Sequence, residues 1–207
     1  ANRRVKICKN TNCFTRDVVN PMSAAAGNTK ELWAAGRNGY VYKLDIETDQ
    51  SSSVASGTAD DLSSLWMSQS GEVWAVGGRS IVKCSGSTCV PLPFVGTDDL
   101  LSVAGNNSGE IWAVGYGRNV IKCVGASCML ILTSNVPGSF LSAVKVDGQG
   151  TAWSVGNAGV VRRCGDTACV GANLGSSLTL RDLWISGTGD VWVAGEDGAI
   201  LSYTPKK

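Results

Sequence analysis

Short apolar runs alternate with clusters of Gly, Ser, Asn and Asp along the chain, and both recur in a fixed order. The stretch GEVWAVGGRSIVKCSGSTC, residues 71–89, returns as GEIWAVGYGRNVIKCVGASC at 109–128 and as GTAWSVGNAGVVRRCGDTAC at 150–169. KELWAAGRNGYVYKLDI at 30–46 and GDVWVAGEDGAILSYTP at 189–205 repeat the pattern without cysteines. Runs this short, rich in Val, Ile and Trp and bounded by turn formers, predict β-strands and not helices, which need longer segments of 3.6-residue period. In the second copy the strands are expected at 62–67, 72–76, 80–84 and 89–94, as a four-stranded antiparallel meander.

The tryptophan of a W-x-x-G element sets the period: Trp33, Trp74, Trp112, Trp153 and Trp192 stand 38 to 41 residues apart. That spacing suits propeller blades. A lone sheet of this kind is apolar on both faces, so Leu65, Val73, Trp74, Val76, Ile81 and Val82 require neighbours on each side. The expected fold is all-β, a five-bladed β-propeller of four-stranded antiparallel blades forming a single domain over 1–207. Blades are expected at 21–58, 59–96, 97–136 and 137–174, with a last blade at 175–207 closed by strands from 1–20. VKICKNTNCFTRDVV places Cys8 and Cys13 where Cys84 and Cys89 stand, and so matches third and fourth strands. LRDLWIS, GDVWVAG and AILSYTP supply first, second and third strands. Pairing of 13–19 with 199–203 would remove an open edge, leaving 5–8 as an extra outermost strand.

Composition narrows the function classes. With a net charge of +1 and 43% hydrophobic residues, the chain can bury a core and needs no nucleic acid or membrane surface to be soluble. No apolar run approaches the roughly 20 residues of a spanning helix. The first residue, Ala1, fits a mature chain after signal removal, and equally a domain boundary. There is no histidine, the side chain most used for acid and base work near neutral pH, so the expectation is a protein that is not an enzyme and uses no cofactor.

The motif G-(E/D)-(V/I)-W-A-V-G followed by G-x-(I/V) resembles the short tectonin-like or WD40-like propeller repeats of bacterial secreted proteins, over Pro21 to Pro205. The resemblance implies a propeller, a scaffold that hosts lectins, scaffolding proteins and enzymes alike. Five-bladed lectins of the tachylectin type are the nearest functional analogy. The chain departs from the WD40 pattern in having no Trp-Asp pair, and no Asp-box spacing of the sialidase type precedes any of the five tryptophans.

All eight cysteines occur as C-x4-C: Cys8 with Cys13, Cys84 with Cys89, Cys123 with Cys128 and Cys164 with Cys169. Each pair brackets a turn between two expected strands, where facing Cα atoms stand about 4.5–5.5 Å apart and suit a disulfide. Zinc would need four ligands together, whereas these pairs fall on different blades with no histidine to help. Disulfides imply an oxidising compartment, so the protein is expected to be secreted, at the cell surface or periplasmic.

Arg37, Asn38, Arg79, Arg118, Asn119, Asn157, Glu196 and Asp197 fall on second-to-third-strand turns, which share one face with Asp60, Asp61, Asp98, Asp99 and Asp182 of the interblade links. They form either a repeated polar ligand site or arginine–aspartate ties that hold that face together. Glu31, Glu72, Glu110 and Asp190 recur in the turns of the opposite face, with Thr151 in the remaining one. Blades spaced on the order of 10 Å keep these acids from sharing one ion, so a solvated ring is expected. Lys83, Lys122, Arg163 and Lys43 recur on the third strand, either as a basic belt for acidic polysaccharide or as solubilising charge. Trp66 and Trp184 sit in innermost strands where other copies carry Ala26, Ala104 and Val144, placed to stack a sugar ring or to fill the channel. Asn106-Asn107-Ser108 is a glycosylation sequon.

These features favour a secreted, non-enzymatic binding module, lectin-like or protein-binding, with repeated sites on one face. The ligand-binding residues expected are Arg37, Asn38, Arg79, Arg118, Asn119, Asn157, Asp197, Trp66 and Trp184. Partners would be a glycan or protein at the cell surface, with self-assembly open, and neither nucleic acid nor a membrane span. The alternatives are a structural part of an extracellular assembly and a carboxylate-dependent glycan hydrolase.

Overall fold

In a computed structural model, residues 4–9, 12–17, 20–117, 119–133, 140–173 and 177–204 are described. A hairpin of β1 (Arg4–Lys9) and β2 (Asn12–Asp17) precedes five sheets. The first contains β3 (Met22–Gly27), β4 (Glu31–Gly36), β5 (Tyr40–Asp45) and β6 (Ser51–Ala55). The second contains β7 (Ser64–Met67), β8 (Val73–Gly77), β9 (Ser80–Ser85) and β10 (Thr88–Leu92). The third contains β11 (Leu100–Gly105), β12 (Glu110–Gly115), β13 (Val120–Val124) and β14 (Ser127–Leu130). After β15 (Leu132–Thr133) come β16 (Leu141–Val146), β17 (Ala152–Gly156), β18 (Val160–Cys164) and β19 (Ala168–Asn173) of the fourth. The fifth contains β20 (Leu180–Ile185), β21 (Val191–Gly195) and β22 (Ile200–Tyr203). Each sheet is an antiparallel meander; β15, on the link between the third and fourth sheets, adds to β19 as a parallel edge strand.

The first strands β3, β7, β11, β16 and β20 pack side by side in chain order, so successive sheets stack face to face in a propeller-like array. Hydroxyl groups stitch them: Ser64 Oγ accepts the Val103 N–H at 3.1 Å, Ser102 Oγ accepts the Val144 N–H at 3.2 Å, and Ser142 Oγ donates to the Leu180 carbonyl at 2.7 Å. Four of the five W-x-x-G tryptophans each centre one intersheet core, and Trp192 of the fifth sheet does not. Trp33 packs on Val73, Ala75 and Val82 of the second sheet, and Trp74 on Val103, Ile111 and Ile121 of the third. Trp112 packs on Val144, Ala152 and Val160, and Trp153 on Leu183, Val191 and Val193. These four rings are at most 4% exposed. Burying an indole of this size stabilises by about 3–5 kcal/mol relative to alanine.

The glycine of the element has a separate cause. In four of the sheets the first strand begins with a register shift, as between Leu100 and Ser102, and at the start of the first strand the backbone lies close against the second. A Cβ on Gly77 would run into the Asp61 carbonyl oxygen, and one on Gly115 into that of Asp99. The same close approach fixes the links that carry Asp60, Asp61, Asp98 and Asp99.

The four disulfides join the expected partners, each across directly facing positions of a hairpin with Cα atoms 4.0 Å apart. Gly86 and Gly125 open two of the turns at φ 62° and 61°, the left-handed region that a two-residue hairpin turn requires. Four disulfides point to an oxidising, extracellular setting. Among the described residues, no helix is long and apolar enough to cross a membrane.

Two expectations need correction. Among the described residues the expected pairing of 13–19 with 199–203 is not seen: β2 pairs with β1 and β22 with β21, and β3 and β20 do not pack as consecutive first strands do. The register also puts Lys145, not Val144, opposite Trp153, so Lys145 is the counterpart of Ala26, Trp66, Ala104 and Trp184.

Thermal unfolding of variants checks the backbone argument. Gly115→Ala is expected to destabilise by more than about 2 kcal/mol, because backbone must move to admit the methyl group. Ala158 stands at φ 55°, where the first sheet has Asn38. Ala158→Asn should therefore stabilise by about 1 kcal/mol, raising Tm by about 2–4 °C. Non-reducing peptide mapping should recover all four C-x4-C links. Reduction should lower Tm without unfolding the chain at room temperature, since each small loop contributes only about 2 kcal/mol.

Candidate functional site

Second-to-third-strand turns and interblade links meet on one face of the array. At the junction of the second and third sheets they enclose a cleft of about 410 Å³ lined by Asp60, Asp61, Arg79, Asp99, Leu101 and Tyr116. The acids are held differently. Asp60 Oδ2 accepts the Arg79 N–H at 3.1 Å and the Ser80 hydroxyl at 2.7 Å, and Asp61 Oδ1 accepts the Asn38 N–H at 2.8 Å. Both are therefore committed to tying links to turns. Asp99 is clamped through its backbone, whose carbonyl accepts the Tyr116 N–H at 2.8 Å, while among the described residues its carboxylate meets the Arg79 guanidinium alone, at 4.0 Å. Both side chains stay more than half exposed, so this pair adds little stability and is free to meet a solute. Tyr116 is 48% exposed and leans on Phe140, ring centroids 5.7 Å apart.

The other expected ligand residues do not converge there. Arg37 is exposed, and its backbone donates to the Pro21 carbonyl at 3.2 Å; Asn38 is held through its backbone by Asp61. Arg118 lies outside the described residues. Asn119 is buried, its amide donating to the Asp98 carbonyl at 2.6 Å and accepting the Thr97 N–H at 3.2 Å, so it is spent on the link. Asn157 accepts the Phe140 N–H at 3.0 Å in the same way one junction on. Asp197 is exposed at φ 55°. Glu196 accepts from the Thr179 N–H and from Arg181; hydrogen bonds from Thr179 first and Arg181 second hold its carboxyl below the usual range. Asp182 lies within β20, where it accepts the Leu183 N–H at 2.9 Å, and not in a link.

The two tryptophans split. Trp66 packs into the third sheet's core and borders a polar hollow on the opposite face with Asn106, Glu110 and Asp147, whereas Trp184 is 61% exposed beside Trp192. The sequon residue Asn106 is engaged, donating to Glu110 Oε2 at 2.8 Å and accepting the Ser108 and Glu110 N–H groups at 3.0 Å.

On the flank of the array, the recurring acids and bases meet one another. Lys43, Lys83, Lys122 and Arg163 stand directly opposite Trp33, Trp74, Trp112 and Trp153, with their cations 5.0 to 5.8 Å from the ring centroids. Lys43 pairs with Glu31 and Lys83 with Glu72, each at 2.7 Å, and Lys122 pairs with Glu110. Three acids of the expected solvated ring and three lysines of the basic belt are thus internal ion pairs, each seated on a tryptophan, whereas Asp190 accepts from the Thr188 and Thr204 hydroxyls at 2.8 Å. Lys122 goes further and reaches Asp166 of the next sheet at 2.6 Å. Hydrogen bonds from Lys122 hold the Glu110 and Asp166 carboxyls below their usual range. Burial pulls the Lys122 ammonium down, but its bonds to Asp166 and Glu110 outweigh this and keep its pKa above the ordinary lysine value. The sequence contained this pairing as a fixed Glu-x-Trp spacing with a base nine or ten residues on, a signal visible only once register is known. Among the described residues, no cluster of three or more His, Cys, Asp or Glu could hold a metal.

No protein-family profile and no curated protein sequence matches this chain. Solved structures do match. Virginiamycin B lyase from Staphylococcus aureus superposes with a TM-score of 0.74 over 88% of this chain and 69% of its own, at 11% identity. A streptogramin B lyase structure gives 0.73 over 90% and 70%, at 15% identity. A catalytically inactive histidine-to-alanine variant of the Staphylococcus aureus enzyme, with quinupristin, gives 0.79 over 98% and 77%, at 8% identity. Identities this low establish the shared propeller-like fold and nothing finer. They correct the expectation of a non-enzymatic lectin-like or protein-binding module, together with its assembly and glycan-hydrolase alternatives: the matching structures are lyases, and no described feature selects a sugar.

The Lys122 cluster gives a pH test. Because the folded-state pKa values of Glu110 and Asp166 are depressed, their contribution is present above the ordinary carboxylate range and is lost as pH falls below about 4. That of Lys122, whose pKa is raised, is present below the ordinary lysine value and is lost as pH climbs past about 10.5. Lys122→Met is expected to cost about 1–3 kcal/mol at neutral pH and to flatten both limbs of the curve of Tm against pH.

Proposed function

We propose that the cleft between the second and third sheets carries out acid–base chemistry of the elimination type on a small, carbonyl-bearing ligand. Supporting this reading, the exposed Asp99 carboxylate stands beside the Arg79 guanidinium in one concave site whose lining also includes Tyr116. The fold likeness to lyases supports the reaction class, but the histidine whose replacement leaves the Staphylococcus aureus enzyme inactive has no counterpart in this chain, which contains no histidine, so a carboxylate serves as the base here.

In the step this arrangement suits, Asp99 takes a proton from the carbon next to the ligand carbonyl. The released electron pair forms a carbon–carbon double bond, and the β-substituent leaves with its bonding pair. Arg79 stabilises the negative charge that develops on the carbonyl oxygen, and the Tyr116 hydroxyl protonates the leaving group. Such positioned proton transfers contribute about 10²–10⁴-fold each.

Quinupristin and a second streptogramin B are the first ligands to try, followed by mass spectrometry for a product of unchanged mass with an opened ring. Asp99→Asn and Arg79→Gln should each lower the rate at least about 100-fold while leaving Tm within about 1 °C of the parent, since both side chains are exposed. Absence of turnover in the parent chain, or turnover indifferent to Asp99→Asn, sinks the proposal.

A further inference from the structure

We infer that the open outer edge of the fifth sheet receives the disulfide hairpin β1–β2 of a second copy of this chain. The inference is independent of the proposed chemistry. Three intersheet junctions share one construction: the tryptophan of one sheet is covered by the disulfide of the next. Trp33 packs with Cys84 and Cys89, Trp74 with Cys123 and Cys128, and Trp112 with Cys164 and Cys169. The turn of the covering hairpin also answers the cation over the ring. Lys43 Nζ donates to the Gly86 carbonyl at 2.9 Å, and Lys122 pairs with Asp166.

The fourth junction lacks all of this. Trp153 meets Tyr203 in place of a disulfide, with ring centroids 5.7 Å apart, and among the described residues no strand pairs with the outer edge of β22. A groove of about 460 Å³ runs there, lined by Trp153, Val161, Arg163, Val170 and Tyr203 among others. Val170 is 71% exposed, and Arg163, over the Trp153 ring, has neither an acid in its own sheet, where Thr151 replaces glutamate, nor a turn ahead of it.

The missing part exists elsewhere in the chain. The hairpin β1–β2 carries the fourth disulfide, Cys8–Cys13, in the register of Cys84 with Cys89, and it belongs to none of the five sheets. Its β2 edge is as open as that of β22, so each end of the chain offers what the other lacks. Among the described residues no ladder joins the two edges within one copy, and a net charge of +1 gives copies little reason to repel. Continuing the register of the repeats sets Cys13 opposite Tyr203 and lays the Cys8–Cys13 bridge over Trp153. Because donor and acceptor differ, the contact is head-to-tail and builds chains or rings of copies.

Light scattering after size exclusion, from low to high micromolar concentration, tests this on the full chain. The mean mass should rise past one copy as concentration increases. Ser202 stands in register with Lys83 and Lys122, where the N–H points to the fourth strand, so Ser202→Pro removes an outward donor without touching the β21 ladder. That variant should stay a single copy with nearly parental Tm. A synthetic, disulfide-closed peptide of residues 1–20 in excess should return the parent chain to single copies. A parent chain that is a single copy at every concentration overturns the inference, including the case where its own hairpin closes the fifth sheet. So does association that survives both Ser202→Pro and the peptide.

Discussion

The array depends on one stacked arrangement, complete at three of its four junctions: a tryptophan driven into the next sheet, a cation laid over its ring from the facing strand, and a carboxylate that fixes the cation. Trp74, Lys83 and Glu72 form one instance, and Trp33 with Lys43 and Glu31 another. The indole supplies the apolar area that holds sheet to sheet, but its outer edge would otherwise meet water. A lysine stem covers that edge with methylene groups while its ammonium remains hydrogen-bonded, which the short strands alone could not achieve. Polar and apolar terms therefore act on the same side chain, and neither is an ornament of the other.

Where a component is missing, the consequences are local. Thr151 removes the acid of the fourth sheet, and Arg163 is left exposed over Trp153. Ser202 stands where a base should be in the fifth sheet, and Trp192, with no sheet in front of it, is 47% exposed. By contrast, the third junction has the full set plus Asp166, and its Lys122 is the most deeply buried lysine of the set. Stability is thus expected to be graded along the array, highest at its middle, as in other proteins whose units touch only their neighbours.

Much of the fold could be read from the sequence because strand, turn and disulfide are local properties with strong residue signatures. The strands of the second sheet lie within two residues of their expected limits, and every cysteine found the expected partner. Closure could not be read in the same way, because it depends on whether two distant ends come together, and no local residue signature records that. The site was harder still. Arg79 was among the expected residues, but Asn119 and Asn157 look identical to it as polar turn residues and are in fact tied to links. Side chains on one face are sorted into ligand-facing and structural by a rotation of a single bond, and no spacing records that.

Every sheet of the middle of the array offers the same forward surface, a tryptophan with its cation, and the same rear surface, small aliphatic positions with a disulfide. Any such unit can follow any other, so the duplication or loss of a whole repeat leaves all junctions chemically intact. What does not survive a change of number is the angle through which the array must turn to meet itself. Length is therefore free to drift by whole repeats under mutation while each junction stays under strict selection, and closure is left to whichever edges the final count happens to bring together.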